Sequence, residues 1–296
     1  MDSSQVDESR LRHPLERPIF VASAALSVAL AASAVVVVLL GAEWLKEHPV
    51  LESHIDKVRL AALAAVAAVP AAHLLRRARR VLYLGNSVRL SAEQVPRVHA
   101  VLEAHCARLG IAPAPELYLC RTLTGGPARA FSGLDRDYVV LGTTLFEIPG
   151  GPGPDVIAFT LGRALGSIRL GHTRWWDETL LLFVTRIPVL RTPIRAVRTL
   201  SCDRYGAALA PGGLRGLILA AAGPDALPDV NVAAYRRQAE AFPSGVMGVL
   251  GAVSNDTPHV SARVRALYDA GLWRAEPDHN GAPAPHPASR STPRVA

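Results

Sequence analysis

The chain has 296 residues, which is enough for one or two domains with a hydrophobic core. Half of the residues are hydrophobic, and this fraction excludes intrinsic disorder of the whole chain. Three cysteines without a CxxC pair exclude a disulfide scaffold and a zinc ribbon. The net charge is +7, but Lys46 and Lys57 are the only lysines and neither GxxxxGKS nor GxxxxGKT occurs, so a nucleotide-binding P-loop is excluded as well.

Two apolar segments in the N-terminal quarter predict a membrane hairpin. Residues 19–42 contain no charge, and a helix of these 24 residues spans ~36 Å, more than the ~30 Å of a bilayer core. A signal peptide is the alternative, but the segment is longer than a signal-peptide core and follows acidic residues. Residues 60–75 form a shorter segment with Pro70 and His73, for which a buried or interfacial helix is the alternative.

The charges that flank the hairpin predict its orientation. Both outer ends are rich in arginine, whereas the loop between the two segments has four acidic and three basic residues. By the positive-inside rule we expect a two-pass protein of the cell membrane with its main domain in the cytoplasm. The outer arginines are Arg10, Arg12, Arg17, Arg76, Arg77, Arg79 and Arg80. Because residues 76–80 adjoin a span, they indicate contact with the lipid bilayer and not with nucleic acid.

Three parts of the chain differ in composition. Residues 1–80 hold the hairpin, residues 81–275 predict a globular domain, and the proline-rich tail 276–296 is expected to be disordered. The domain is predicted to be of the α+β class, mainly helical with a small sheet. The predicted strands are 115–120, 130–132 and 138–141.

Local signals predict where the helices begin and end. Ser91 and Gln94 match a capping box and open a helix that Gly110 ends. A second helix begins at Pro154 and runs to about residue 170, and the N-cap pair Thr192–Pro193 opens a third. Further helices are expected at 179–190, in the core or on the membrane surface, and after 211–213 as far as about residue 272.

No catalytic motif is present: the chain has no HExxH motif and no GxSxG motif. Residues 159–172, FTLGRALGSIRLGH, resemble the active-site helix of the HtpX/CAAX-prenyl-protease family of membrane zinc metallopeptidases, which reads approximately LGHELGHIKLGH. In an alignment without gaps the chain keeps Gly166, His172 and six other positions. Arg163 stands in place of the first zinc-ligand His, Ala164 in place of the catalytic Glu, and Ser167 in place of the second ligand His.

Three further segments resemble the same family. Residues 199–210, TLSCDRYGAALA, are similar to its ExxADRxGxxLA helix. There the chain retains Asp203 and Arg204, and Thr199 replaces the Glu that is the third zinc ligand. Residues 128–141 resemble the family's NAFxxG hairpin and residues 257–267 its HPxxxxRIxxL helix. The alternative is an unrelated helical membrane protein whose similarity arose by chance.

The resemblance implies a zincin-like metallopeptidase domain whose cofactor in the family is zinc. We expect no cofactor here, because guanidinium has no lone pair and a serine hydroxyl is a poor zinc ligand. Without the catalytic Glu we also expect no catalytic residue, so the chain is interpreted as a pseudopeptidase. Arg163 is expected to pair with Asp203, with hydrogen bonds from Thr199 and Ser167. The alternative is that Arg163 points into solvent.

Three functions follow from this interpretation. The leading one is an inactive membrane homologue that binds a peptide or membrane-protein segment in the former substrate cleft, or pairs with an active homologue. In it, His172 is structural and Cys202 is a small core residue. The second is an active metalloendopeptidase that recruits zinc through other residues, such as His172 and Asp203. The third is a structural membrane module.

Overall fold

The computed structural model describes residues 8–40, 54–123, 126–133, 135–242 and 257–273. This part of the chain is mainly helical with a small mixed sheet, as predicted, and the tail 276–296 lies outside it. The helices are α1 Glu8–Leu11, α2 Glu16–Leu40, α3 Ile55–Gly85, α4 Pro96–Leu109, α5 Pro154–Arg169, α6 Trp175–Leu180, α7 Pro188–Leu209, α8 Leu214–Ala226, α9 Val232–Ala241 and α10 Val260–Asp269. The strands are β1 Ser87–Leu90, β2 Glu116–Cys120, β3 Ala128–Ser132 and β4 Asp137–Gly142.

Helices α2 and α3 are both long and apolar enough to cross a membrane, in agreement with the predicted hairpin. Residues 41 and 42 of the first predicted segment lie outside the described part of the chain. Helix α3 has 31 residues and continues through Pro70, so the second span is not limited to 60–75. Leu60 and Leu74 are 69% and 71% exposed, which shows that this stretch is not a buried helix. Exposed leucines on a helix of this length suit a lipid environment.

The sheet joins the end of α3 to the core of the domain. Its order is β1-β2-β4-β3; β2 and β4 are parallel, and each outer strand is antiparallel to its neighbour. Side chains alternate between the two faces, so Val139 and Leu141 enter the main core while Val140 packs with Tyr83 of α3. The three predicted strands are confirmed. Strand β1 was not predicted, because its four residues are too few to show alternation.

Helix α5, which begins at Pro154 as predicted, crosses α7 at very short range. A Cβ atom added to Gly162 would lie 3.1 Å from the Cα of Gly206, and one added to Gly166 would lie 2.6 Å from the Cβ of Tyr205. A Cβ on Gly206 would lie 2.7 Å from the Cγ of Arg163. Larger residues at these positions would push the helices apart, so the glycines place the Arg163 side chain directly against α7.

The predicted start of α4 is wrong. The helix begins at Pro96, in the first helical position, and ends at Leu109, and the next residue, Gly110, with a φ of 61°, is the expected C-cap. Ser91 and Gln94 form a turn before the helix, in which the Ser91 N–H donates to the Gln94 carbonyl at 2.9 Å. The pattern that resembled a capping box therefore belongs to a turn.

The predicted start of α7 is also wrong. Pro188 occupies its first position, and Pro193 lies inside the helix. The Thr192 hydroxyl is not a cap, because it donates to the Pro188 carbonyl one turn earlier at 2.9 Å. The single helix expected at 179–190 is likewise absent: α6 ends at Leu180, and a 3-10 turn at Val184–Arg186 precedes α7.

We predict that Gly166→Ala destabilises the protein by roughly 1–3 kcal/mol, because Tyr205 is fully buried and cannot move away from the added methyl group. Gly153→Ala is the control, since a Cβ there meets nothing within 4 Å. Thermal unfolding in detergent, followed by circular dichroism, measures both. Equal midpoints for the two variants would contradict the close crossing.

Candidate functional site

The polar residues of the two segments that resemble the peptidase family meet where α5 crosses α7. Residues 201–204 of α7 are Ser201, Cys202, Asp203 and Arg204, and the first three are buried. Ser201 and Arg204 contact the N-terminal segment, Cys202 contacts His172, and Asp203 contacts two arginines. The candidate site is therefore organised around one turn of α7.

The Asp203 carboxylate is fully buried between two guanidinium groups. The Nε of Arg163 lies 2.5 Å from Oδ1, in an ion pair whose N–H is not aligned for a hydrogen bond. Arg263 of α10 donates from Nε to Oδ2 at 2.7 Å and from Nη2 to Oδ1 at 2.8 Å. The Arg163–Asp203 pair is thus present, as expected. Arg263 was not predicted, although residues 257–267 resemble a family helix that has an Arg at this position.

Two guanidinium groups and one carboxylate give this cluster one net positive charge. Burial acts to raise the pKa of Asp203, but Arg263 and Arg163 outweigh it and hold that pKa below its usual value. Burial also lowers the pKa of Arg163, whereas the attraction of Asp203 outweighs burial at Arg263 and raises its pKa. Asp203 therefore stays ionised near neutral pH and is not poised as a proton donor.

The segment that leads into the first of the two apolar helices, α2, closes the site from the other side. Glu16 is buried and accepts hydrogen bonds from His172 Nε2 at 2.9 Å and from the Ser201 hydroxyl. The Ser201 oxygen in turn accepts the His13 N–H at 2.9 Å. Because Glu16 is an acceptor, we assign the imidazole proton of His172 to Nε2, which leaves Nδ1 facing Cys202 Sγ at 3.7 Å.

His172 and Cys202 have no free reactive group in this arrangement. Burial lowers the pKa of His172 despite its bond to Glu16, so the imidazole is neutral. Burial raises the pKa of the Cys202 thiol to about 12, and a protonated thiol is a poor nucleophile. Both residues fit the structural roles predicted for them. Glu16 was missed, since a single acid before an apolar segment carries no sequence signal for this contact.

The other predicted positions lie at the same crossing. Ala164 is buried in the main core. Ser167 was expected to support the Arg163 pair, but its hydroxyl donates to the Ala164 carbonyl at 2.7 Å. Thr199 is half-buried and makes no side-chain hydrogen bond within the described part of the chain. Arg204 donates to the carbonyls of residues 10 and 12, both at 3.4 Å, and so fastens the N-terminal segment.

The residues at the three family zinc positions do not fit zinc. Arg163 cannot donate an electron pair, and Ser167 and Thr199 offer only hydroxyl groups. The charge of Arg163 would also repel the metal ion. At ~4 Å and an effective dielectric constant of ~20, the repulsion between two unit charges is about 4 kcal/mol, and that between a unit charge and a dication is about twice as large. No three His, Cys, Asp or Glu side chains among the described residues converge as a metal site. Asp203 and His172, the alternative ligands, are already bonded to Arg263 and Glu16.

The chain matches no family model, no curated protein and no solved structure. The resemblance to the peptidase family therefore depends only on the four segments quoted above.

We predict that Asp203→Asn destabilises the protein by about 3–5 kcal/mol, because it leaves two guanidinium groups without a counter-charge. Arg163→Met should cost less, roughly 1–3 kcal/mol, since Arg263 still holds Asp203 with two aligned hydrogen bonds. Arg265→Met, on the exposed face of α10, is the control and should change stability by less than about 0.5 kcal/mol. Denaturant unfolding in detergent measures all three. A loss in Arg163→Met as large as that in Asp203→Asn would contradict this division of roles.

We predict that the protein loses stability as the pH falls below about 6.5, the usual histidine pKa. The folded-state pKa of His172 is lowered, so the unfolded chain takes up a proton first and acid favours unfolding. His172→Gln, whose amide can still donate to Glu16, should flatten the profile by at most ~1.4 kcal/mol per pH unit. Thermal midpoints between pH 7.5 and pH 5 measure this slope. An unchanged slope in the variant would contradict a buried neutral His172.

Proposed function

We propose that the protein is a membrane-anchored, catalytically inactive homologue of HtpX-like zinc metallopeptidases, with a binding or regulatory role. One observation carries the proposal: the guanidinium of Arg163, at the first zinc position, pairs with a buried carboxylate that Arg263 also holds. A cationic cluster at that place is incompatible with the chemistry of a zinc peptidase, which needs three ligands and an open position for water.

The order of the elements supports the proposed relationship. An apolar helical hairpin precedes a small sheet, and α5 and α7 follow with the two segments that resemble the peptidase helices. Arg263 adds an independent point of support, because it occupies the Arg position of the resembling segment 257–267 and binds the retained Asp203. A chance similarity gives no reason for these three segments to meet at one carboxylate.

The active-peptidase alternative has less support. It requires His172 and Asp203 to bind zinc, but arginines hold both carboxylate oxygens of Asp203, and a lone Nδ1 of His172, beside the Sγ of Cys202, does not make a three-ligand site. A binding role, in the former cleft or with an active homologue, remains a prediction of the resemblance.

The experiment is to measure zinc in the purified wild-type protein and in a variant that restores the family residues, Arg163→His, Ala164→Glu, Ser167→His and Thr199→Glu. We expect less than ~0.1 zinc per chain in the wild type and about one in the variant. Glutamine at the same four positions is the matched control and should bind none. Metal content is read by elemental mass spectrometry after dialysis.

Two outcomes would contradict the proposal. About one zinc per wild-type chain, together with proteolysis of a membrane-protein substrate that a chelator abolishes, would show an active peptidase. A restored variant that folds, by circular dichroism, but binds no more zinc than the glutamine control would show that the scaffold is unrelated.

A further inference from the structure

A cavity of about 560 Å³ lies next to the candidate site, between α3, β3, α6 and the first half of α7. Its volume is in the range of small-molecule sites. One end reaches His172, and one wall is the stretch of α3 between Val69 and Tyr83, where the apolar part of this helix gives way to arginines. The cavity thus opens at the level where a span meets the lipid head groups.

Arginine dominates the polar lining of the cavity. Seven arginines face a single carboxylate, that of Glu178, which pairs with Arg76 at 3.0 Å. Behind the wall, Asp177 binds Arg198 through contacts of 2.7 and 2.8 Å. The other five are Arg79, Arg129, Arg186, Arg191 and Arg195. Arg191 and Arg195 have other contacts, but Arg79, Arg129 and Arg186 have no ion-pair partner among the described residues, so their positive charge attracts an anion to the cavity.

The lining also contains apolar side chains. They include Val69 and Leu75 of α3, together with Leu182 and Ile194. Trp175, at its edge, is 59% exposed, and exposed tryptophan is typical of a membrane–water interface. A small soluble anion would leave these apolar side chains uncovered, whereas the hydrocarbon chains of a lipid can pack against them.

We propose that this cavity binds the phosphate head group of an anionic membrane lipid, with the acyl chains lying along α3. Guanidinium groups bind phosphate oxygens through paired, charge-assisted hydrogen bonds. An acidic protein segment would satisfy the arginines but would leave the apolar wall without a partner. The proposal stands on the residues of the cavity and does not require the family resemblance.

The test uses the full-length protein in a neutral detergent and native mass spectrometry to measure retained phosphatidylglycerol and phosphatidylcholine. Arg79→Gln with Arg186→Gln removes two exposed cavity charges that have no ion-pair partner among the described residues. Arg77→Gln with Arg174→Gln removes two exposed charges nearby that do not line the cavity. We expect the wild type to bind phosphatidylglycerol at least about tenfold more tightly than phosphatidylcholine. The affinity for phosphatidylglycerol should fall about tenfold in the cavity variant and less than about twofold in the control variant.

Several results would overturn the proposal. If both variants bound phosphatidylglycerol equally weakly, the attraction would be a diffuse property of the surface. If the wild type did not prefer phosphatidylglycerol to phosphatidylcholine, the cavity would not be a site for anionic lipid. Glycerol phosphate that competes as well as the lipid would assign the cavity to a soluble phosphate ester, and polyglutamate that displaces the lipid would assign it to an acidic protein.

A measurement on the wild type covers the case in which a variant fails to fold. A photoreactive phosphatidylglycerol should label peptides from residues 69–83 of α3 and from 175–186. Labelling confined to other peptides would overturn the proposal.

Discussion

The buried carboxylate of Asp203 is the constraint on which the rest of the domain depends. An ionised group with no access to water must be matched by opposite charge, and removing its partners costs several kcal/mol. The structure meets this need with residues from three helices, so α5, α7 and α10 are held in one arrangement. Arg263 supplies the aligned hydrogen bonds, and Arg163 supplies charge from the partly open side, where its side chain is 23% exposed. Glycines at the α5–α7 crossing make the approach of Arg163 possible.

Under the proposed relationship, a guanidinium now joins two helices that a zinc ion joins in an active peptidase. The two connections differ physically. Zinc binding requires deprotonated ligands and depends on pH and on the supply of metal. A guanidinium keeps its proton at any physiological pH and offers no lone pair to a metal. The resulting connection therefore depends neither on the supply of metal nor on the deprotonation of ligands.

The elements that the sequence predicted correctly are those with a signal in a few neighbouring residues. The short apolar run of β4 and the proline at the start of α5 were sufficient to place those two elements, because both signals lie within the elements themselves. The Arg163–Asp203 pair followed from comparing two motifs, not from periodicity. Arg263 and Glu16 are 60 and 185 residues away from the side chains they bind, Asp203 and Ser201, and no local pattern contains such distances. The predicted start of α7 is too late because Thr192–Pro193 resembles a cap, whereas the helix begins at Pro188, another proline in the first helical position.

Contacts of the same kind fasten the domain to the two apolar helices α2 and α3. Glu16 holds α2 to His172 and α7, and lower on α2 the Ser27 hydroxyl accepts the Phe183 N–H at 3.2 Å. On the other side, Tyr83 at the end of α3 packs against Val140 of the sheet. A domain fastened to both apolar helices cannot rotate freely about either. Its arginine-lined cavity is therefore kept against α3, and under the proposed lipid binding this contact would hold the positive charge beside the lipid surface.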